Sequence, residues 1–283
     1  TGRREAYAFD AGLTLEDVVI GDEHGIYLIT KKLSVDKDKS ASYTTSSERK
    51  IVYLNLDTLD MKEICPMTFD DSVTWKAIGC YQNSFVLSGT DYGREFSREE
   101  YWDEDAYKEL YRNSAEVYAL LDLSEGTLKE ICRQQNQFEN SAWVLGESLY
   151  LSSTENQNIE AVDMGTGERK TLCSLKQNLI MDAVGDTLFC RDWALSDDPA
   201  FYFVNVKTGE ITRSPLVIRC NGWSVEFRAQ TASDMLFIYD YDATKGEDDS
   251  YEIHQCKYAL IAKEDLFAGR ENYREIEMIG PGQ

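Results

Sequence analysis

Apolar residues in this chain gather in short runs broken by polar corners, and almost nowhere do they hold a helical period. Four such runs, "IVYL", "EVYALL", "IEAV" and "FYFV", are rich in β-branched and aromatic residues, and each leads into an Asp or Asn. A similar phrase follows every time: "NLDTLDMKEIC" from Asn55, "DLSEGTLKEIC" from Asp122, "DMGTGERKTLC" from Asp163 and "NVKTGEITRSP" from Asn205. The tenth residue after the Asp or Asn is Cys65, Cys132 and Cys173 in three copies and Pro215 in the fourth. A looser fifth copy, "CKYALIAKEDLFAGRENYREIEMI", has a lengthened turn.

The phrase predicts a hairpin. The Asp or Asn side chain ends one strand and can bind the backbone N–H groups of the turn. Gly126, Gly167 and Gly209 supply the positive φ of a tight reversal. Upstream of each hairpin lies another pair of runs around a polar or Gly-containing corner, as in "DVVIGDEHGIYLIT", "WVLGESLYLSS" and "IMDAVGDTLFCRD". The unit is therefore four antiparallel strands, a to d, occurring five times, with the closest copies 41 and 42 residues apart. Four strands repeated at about 40 to 50 residues predict an all-β chain, a β-propeller of four-stranded antiparallel blades. Five blades are complete. The opening "TGRREAYAF" is similar to a turn and final strand, which keeps six open. One propeller domain is expected over residues 1–283, with a helical b–c insertion at about 90–115.

The D-x-x-T-G hairpins, "AVDMGTGERKTL" and "FVNVKTGEITRS", resemble those of bacterial TolB-like, YVTN and quinoprotein propellers, and also the low-density-lipoprotein-receptor-like propellers of surface lipoproteins. The resemblance implies a binding or scaffold role, extracytoplasmic or at the cell surface, with a cytoplasmic location as the alternative. Quinoprotein repeats carry a tryptophan after the glycine, which these hairpins lack, so no quinone is implied; no other cofactor is expected.

Strand order puts the a–b and c–d corners at one end of every blade and the b–c and d–a connections at the other. The a–b corners are short, whereas the b–c connections of blade one ("KLSVDKDKSASYTTSSER") and blade two (residues 89–115) are long. Trp102 and Trp193 fall in b–c connections, and Trp75, Trp143 and Trp223 where strand a begins, so all five tryptophans map to the long-loop side. With Tyr101 and the carboxylates Asp192 and Asp197, they make candidate stacking surfaces for a sugar or peptide; wedging between blades is the structural alternative. In the insertion, Ser97 with Glu100 reads as a capping box for a helix from about 98 to 112, with Trp102, Ala106 and Leu110 as its apolar stripe.

There are 51 acidic against 29 basic residues, a formal charge of −22. That repels phosphate backbones, so neither nucleic acid nor an anionic membrane is an expected partner. No apolar run reaches transmembrane length, and no signal-peptide pattern opens the sequence. His24 and His254 lie on different blades, so a zinc site or a Ser-His-Asp triad is not expected. "DYDATKGEDD" from Asp240 has calcium-like acidic spacing, but Gly246 falls one place late, and a solvated acidic loop is the default reading. The cysteines Cys65, Cys80, Cys132, Cys173, Cys190, Cys220 and Cys256 lie in or beside strands and read as small buried hydrophobes with free thiols. The expectation is a monomeric, non-catalytic propeller binding a protein, peptide or glycan on its long-loop face. The alternative is a glycoside hydrolase or lyase with a carboxylate pair in the mouth, for which Asp17, Asp182 and Glu226 are the innermost carboxylates.

Overall fold

The computed structural model describes residues 13–276, apart from 23, 36–43, 68–72, 95–99, 101, 137–139, 154–155, 177, 193–200, 215, 223–224, 232 and 247–249. It is a β-propeller built from five four-stranded antiparallel blades, each made of consecutive strands. Blade one is β1 (Leu13–Asp22), β2 (Gly25–Val35), β3 (Thr44–Asn55) and β4 (Met61–Met67). Blade two is β5 (Val73–Tyr81), β6 (Ser84–Asp91), β7 (Ala115–Asp122) and β8 (Leu128–Gln135), with helix α1 (Glu104–Arg112) between β6 and β7. Blade three is β9 (Asn140–Leu145), β10 (Ser148–Ser153), β11 (Ile159–Asp163) and β12 (Arg169–Cys173). Blade four is β13 (Asn178–Val184), β14 (Thr187–Asp192), β15 (Phe201–Asn205) and β16 (Ile211–Arg213). Blade five is β17 (Glu226–Gln230), β18 (Asp234–Lys245), β19 (Tyr251–Ala262) and β20 (Arg274–Ile276), with the short helix α2 (Lys263–Phe267) between the last two strands. The chain divides into two compact units, residues 1–151 with 161–170 and residues 152–160 with 171–283.

The repeated phrase forms the expected turn four times. Asn55 Oδ1 accepts the N–H groups of Asp57 and Thr58, both at 2.9 Å. Asp122 Oδ1 accepts those of Ser124 and Glu125, at 2.7 and 2.9 Å. Asn205 Oδ1 accepts those of Lys207 and Thr208, at 2.9 and 3.1 Å. Asp163 Oδ1 takes the N–H and the hydroxyl of Thr166, at 2.7 and 2.8 Å. The next residue then ties the turn to the a–b corner of its own blade. The N–H groups of Leu56, Leu123, Met164 and Val206 donate to the carbonyls of His24, Asn83, Glu147 and Asp186. Both corners therefore lie at the same end of the blade, as strand order requires.

The turn glycines also explain the recurring cysteines. A Cβ built on Gly126 would stand 3.6 Å from Cys65 Cβ, and one on Gly167 would stand 3.0 Å from the carbonyl oxygen of Ile131. On Gly209 it would stand 2.6 Å from the carbonyl oxygen of Leu172 and 3.9 Å from Cys173 Cβ. Each of these turns lies against strand d of the preceding blade, beside the repeat cysteine; the fit is ordinary contact at Gly126, tight at Gly167 and closed to a methyl group at Gly209. Blade one has Leu59 at the equivalent turn position, also at positive φ (63°).

Strand a carries a register shift in blades one, two, four and five, at Leu15/Asp17, Ala77/Gly79, Ile180/Asp182 and Phe227/Ala229. Such bulges increase local twist and re-aim side chains, and no pattern of residues had pointed to them. Middle strands are buried on both faces, as in Phe85-Val86-Leu87, Leu149-Tyr150-Leu151 and Leu188-Phe189-Cys190. The core of the first unit includes Ile51, Phe85, Leu87, Leu121 and Tyr118. That of the second unit is dominated by Phe189, Phe201, Phe203, Met235, Phe237 and Ile261.

Several expectations need correction. The helix expected over about 98–112 is broken at Asp103. Glu100 and Trp102 are helical, and residues 98, 99 and 101 lie outside the described residues. Helix α1 restarts at Glu104 with Asp103 as its N-cap, whose carboxylate accepts the N–H groups of Asp105 and Ala106 at 3.1 and 2.9 Å. Ser97 lies outside the described residues. Trp102 precedes that cap, so it cannot share a stripe with Ala106 and Leu110; Leu110 is buried while Trp102 is 72% exposed. Residues 240–245 are strand, not a solvated loop, and Asp240 pairs with Lys257 at 3.0 Å. Cys80 is exposed, although Cys65, Cys173 and Cys190 are buried as expected. Much of blade one's long b–c connection is strand, since β2 and β3 pair out to Val35 and Thr44. Blade five extends its b–c hairpin in the same way, to Lys245 and Tyr251.

Candidate functional site

The b–c end of blade two holds the helical insertion and two of the candidate tryptophans. Trp75, in β5, is half-buried against the core of the first unit, and its register partner across β6 is Gly89. A Cβ on Gly89 would fall 2.8 Å from the indole, so that glycine makes room for the ring. Trp102 stands at the same end of the blade, on the approach to α1, and is exposed. Trp143, in β9, is half-buried. Asp192 closes β14 opposite Asn178 in register. Tyr101, Trp193, Asp197 and Trp223 lie outside the described residues.

Helix α1 is held at both ends. Asp103 caps its start, and at its C-terminus the Ser114 hydroxyl donates to the carbonyl of Tyr111 at 2.6 Å. Asn136, buried at the end of β8, closes the clasp: its side-chain amide donates to Ser114 Oγ at 2.6 Å and its N–H to the Ser114 carbonyl at 3.1 Å. Asn140 extends the chain by donating to Asn136 Oδ1 at 3.1 Å. Gln135 also donates to the carbonyls of Arg112 and Ser114. The helix thus closes directly onto the sheet instead of hanging on a loop. Sequence reasoning missed Ser114, Asn136 and Asn140, and no pattern of residues marks them.

The surface of the insertion is acidic and internally paired. Arg94 meets Glu100 at 2.7 Å, and Lys108 meets Glu104 at 2.6 Å. The Lys108 ammonium holds the Glu104 carboxyl below its ordinary range. Arg133 bridges Glu130 at 2.7 Å and Asp91 at 3.4 Å, which raises its already high pKa further. Glu116 accepts the hydroxyls of Ser88 and Thr90 from the neighbouring strand.

The innermost carboxylates that are described belong to the second unit. Asp182 is buried after the β13 bulge; burial pushes its carboxyl up, and the N–H of Ala183 at 2.6 Å and the charge of Lys263 oppose that shift. Gln230 donates to Asp182 Oδ1 at 3.4 Å and to the Ala183 carbonyl at 3.1 Å. Glu226 accepts from the Tyr241 hydroxyl and the Arg228 guanidinium. Each carboxylate is engaged by its own neighbours. Asp17 lies in β1, and its side chain is outside the described set. His24 is exposed and 3.2 Å from Asp57, and His254 is exposed, 2.7 Å from the Thr244 hydroxyl. Among the described residues no group of three or more His, Cys, Asp or Glu is placed to hold a metal ion, and no helix is long and apolar enough to cross a membrane.

No protein-family model matches the chain, and no curated protein matches it. Solved structures do. An acylaminoacyl peptidase from Pyrococcus horikoshii is similar over 94% of this chain and 46% of its own, at 12% identity and a TM-score of 0.52. A puromycin hydrolase mutant is similar over 97% of this chain and 40% of its own, at 12% identity and a TM-score of 0.51. The β-propeller domain of the Trilobed protease from Pyrococcus furiosus is similar over 95% of this chain and 72% of its own, at 11% identity and a TM-score of 0.49. The chain spans less than half the length of the peptidase and the hydrolase. At these identities the likeness is one of fold.

Proposed function

We propose that this chain is a non-catalytic binding propeller that takes a protein or peptide ligand, or a glycan, at the b–c end of its blades. The observation that carries the reading is Trp102: a large indole 72% exposed on a platform whose helix is capped by Asp103 and clasped by Ser114 and Asn136. An aromatic this exposed is costly in solubility, while a ring on a fixed support loses little entropy when a ligand stacks on it. The half-buried rings of Trp75 and Trp143, and Tyr101, Trp193, Trp223 and Asp192, belong to the same proposed face. The acidic surface favours ligands that are neutral or basic over polyanions. The extracytoplasmic or cell-surface location implied by the hairpin resemblance is part of this proposal.

The test is a peptide and glycan array probed with the purified chain and with Trp102→Ala, followed by tryptophan fluorescence titration of each hit. Hits that weaken at least about fivefold in the variant support the reading, since loss of one stacking ring removes about 1–3 kcal/mol. Hits that bind both proteins equally place the ligand elsewhere and end it.

A further inference from the structure

Blade five departs from the repeat at one place, and the departure opens a hollow. In blades two, three and four a glycine turn lies against the preceding strand d, with no room for even a methyl group at Gly209. Blade five replaces that turn with α2, and Phe267 at the end of α2 leans over blade four, its ring 5.6 Å from Phe203 and 6.2 Å from Phe189. The preceding strand d departs at the matching position, since Pro215 stands where the other copies have cysteine. Beside this ring contact lies a hollow of about 180 Å³, lined by Thr187, Phe203, Asn205, Glu210, Thr212 and Phe267.

The lining follows from register. Thr187 pairs with Asn205, Phe189 with Phe203 and Phe203 with Thr212, so these side chains share one face of the sheet at a period of two. Beneath it that face continues into the phenylalanine core, with Phe203 5% exposed and Phe267 as the exposed ring. The rim is polar because it lies at the solvent-facing corner end. Asn205 Oδ1 is taken by the turn, which leaves its amide hydrogens as donors. The hydroxyls of Thr187 and Thr212 can both donate and accept, and the Glu210 carboxylate can accept two hydrogens.

We propose that this hollow is a second binding site, at the corner end of blade four, and that it takes one neutral pyranose unit. Its volume is that of one hexose ring, not of a disaccharide or an extended peptide. The Phe267 ring, 41% exposed, offers apolar surface to the C–H face of a sugar, and three neutral polar groups with one carboxylate match the mixed donors and acceptors of vicinal hydroxyls. A polyanion would meet Glu210. A purely apolar guest would strip water from Thr187, Asn205 and Thr212 without replacing its hydrogen bonds. The site is separate from the b–c end and does not depend on what binds there.

The experiment is calorimetric titration of the chain with methyl glucoside, methyl galactoside and methyl N-acetylglucosaminide, with N-acetyl-lysine amide as a cationic probe, alongside amide NMR shift mapping. Saturable binding of a pyranoside with shifts at Thr187 and Thr212 is expected, reduced about tenfold or more by Phe267→Ala and about three- to tenfold by Thr212→Val. Glu210→Gln should keep pyranoside binding within about tenfold. Thr212 is exposed in β16, so its variant keeps the test valid if Phe267→Ala unfolds the protein. The proposal is overturned if no pyranoside binds saturably, or if binding survives both Phe267→Ala and Thr212→Val. It is equally overturned if only the lysine amide binds and Glu210→Gln abolishes it, which would make this a cation site.

Discussion

Gly209→Ala is the sharpest probe of how the blades are joined. The φ of this residue is +70°, a backbone conformation that a Cβ disfavours by about 1–2 kcal/mol. The same Cβ would stand 2.6 Å from the carbonyl oxygen of Leu172, a backbone atom of a paired strand that cannot swing aside. Forcing a methyl group into a filled space costs about 1–3 kcal/mol through displaced neighbours. The two contributions give an expected loss of about 2–5 kcal/mol. Gly185→Ala separates them: φ is +55° and nothing stands within 4 Å of the methyl it would add, so only the conformational part, about 1–2 kcal/mol, is expected. Gly209→Asn should fall between wild type and Gly209→Ala in backbone strain, because Asn tolerates this conformation, while keeping the clash. Urea titrations followed by far-UV CD at fixed pH measure all three. Equal losses in Gly209→Ala and Gly185→Ala would refute the claim that the turn is wedged against strand d, because the clash would then be absent.

Three further outcomes are expected. Asp163 is held below its ordinary range by the backbone N–H of Thr166 and then by its hydroxyl, so its stabilisation is present above the unfolded value, about pH 3.9, and is lost as the pH falls through the folded one. Asp163→Asn, which the turns at Asn55 and Asn205 show to be compatible, should therefore reduce the drop in urea midpoint between pH 5 and pH 2. Asp182 is pushed up by burial, so its ionised form is disfavoured in the fold and stability declines as the pH rises from the unfolded pKa through the folded one. Asp182→Asn should raise the urea midpoint at pH 7, with the gain fading at pH 3, where the wild-type group is protonated. The seven cysteines are free, and burial raises the thiol of Cys190 well above its usual range; alkylation of the native protein followed by peptide mass mapping should modify exposed Cys80 first and Cys190 last.

The blades were legible in the sequence because the turn chemistry repeats with its physical cause attached. An Asp or Asn that binds the turn and a glycine at positive φ are demands of local geometry, so they are written into every copy. The fifth copy was visible as a lengthened turn, and the structure shows why: α2 replaces it. The break in the insertion at Asp103 was missed because Asp both caps helices and sits within them, and a cap is decided by which backbone N–H groups the chain leaves within reach. The strand-a bulges left no trace, since any side chain can stand beside one. Nor could the Ser114–Asn136 clasp be found, because it joins residues 22 positions apart through small polar groups that also suit any surface loop. Of the proposed face, Trp75 and Trp102 are at one end of blade two as strand order requires. Phe267 and Glu210 were passed over because the candidate residues were sought at the long-loop end, and these two lie at the corner end.

The glycine at the turn has a consequence for how such a chain can grow. Within a blade, the turn is tied to its own a–b corner; between blades, it must yield space to the strand d before it. A tandem duplication of blade two or three brings along a turn already fitted to a preceding neighbour, and a cysteine in strand d already fitted to a following one. Blade one does not travel in this way. Leu59 holds the same left-handed conformation and is 38% exposed. A copy of blade one set in the place of blade four would bring that leucine to the position of Gly209, where even a methyl group would stand 2.6 Å from a backbone carbonyl oxygen. The middle blades therefore carry both halves of the fit that a copied repeat needs, the glycine turn and the cysteine of strand d, and blade one carries only the second.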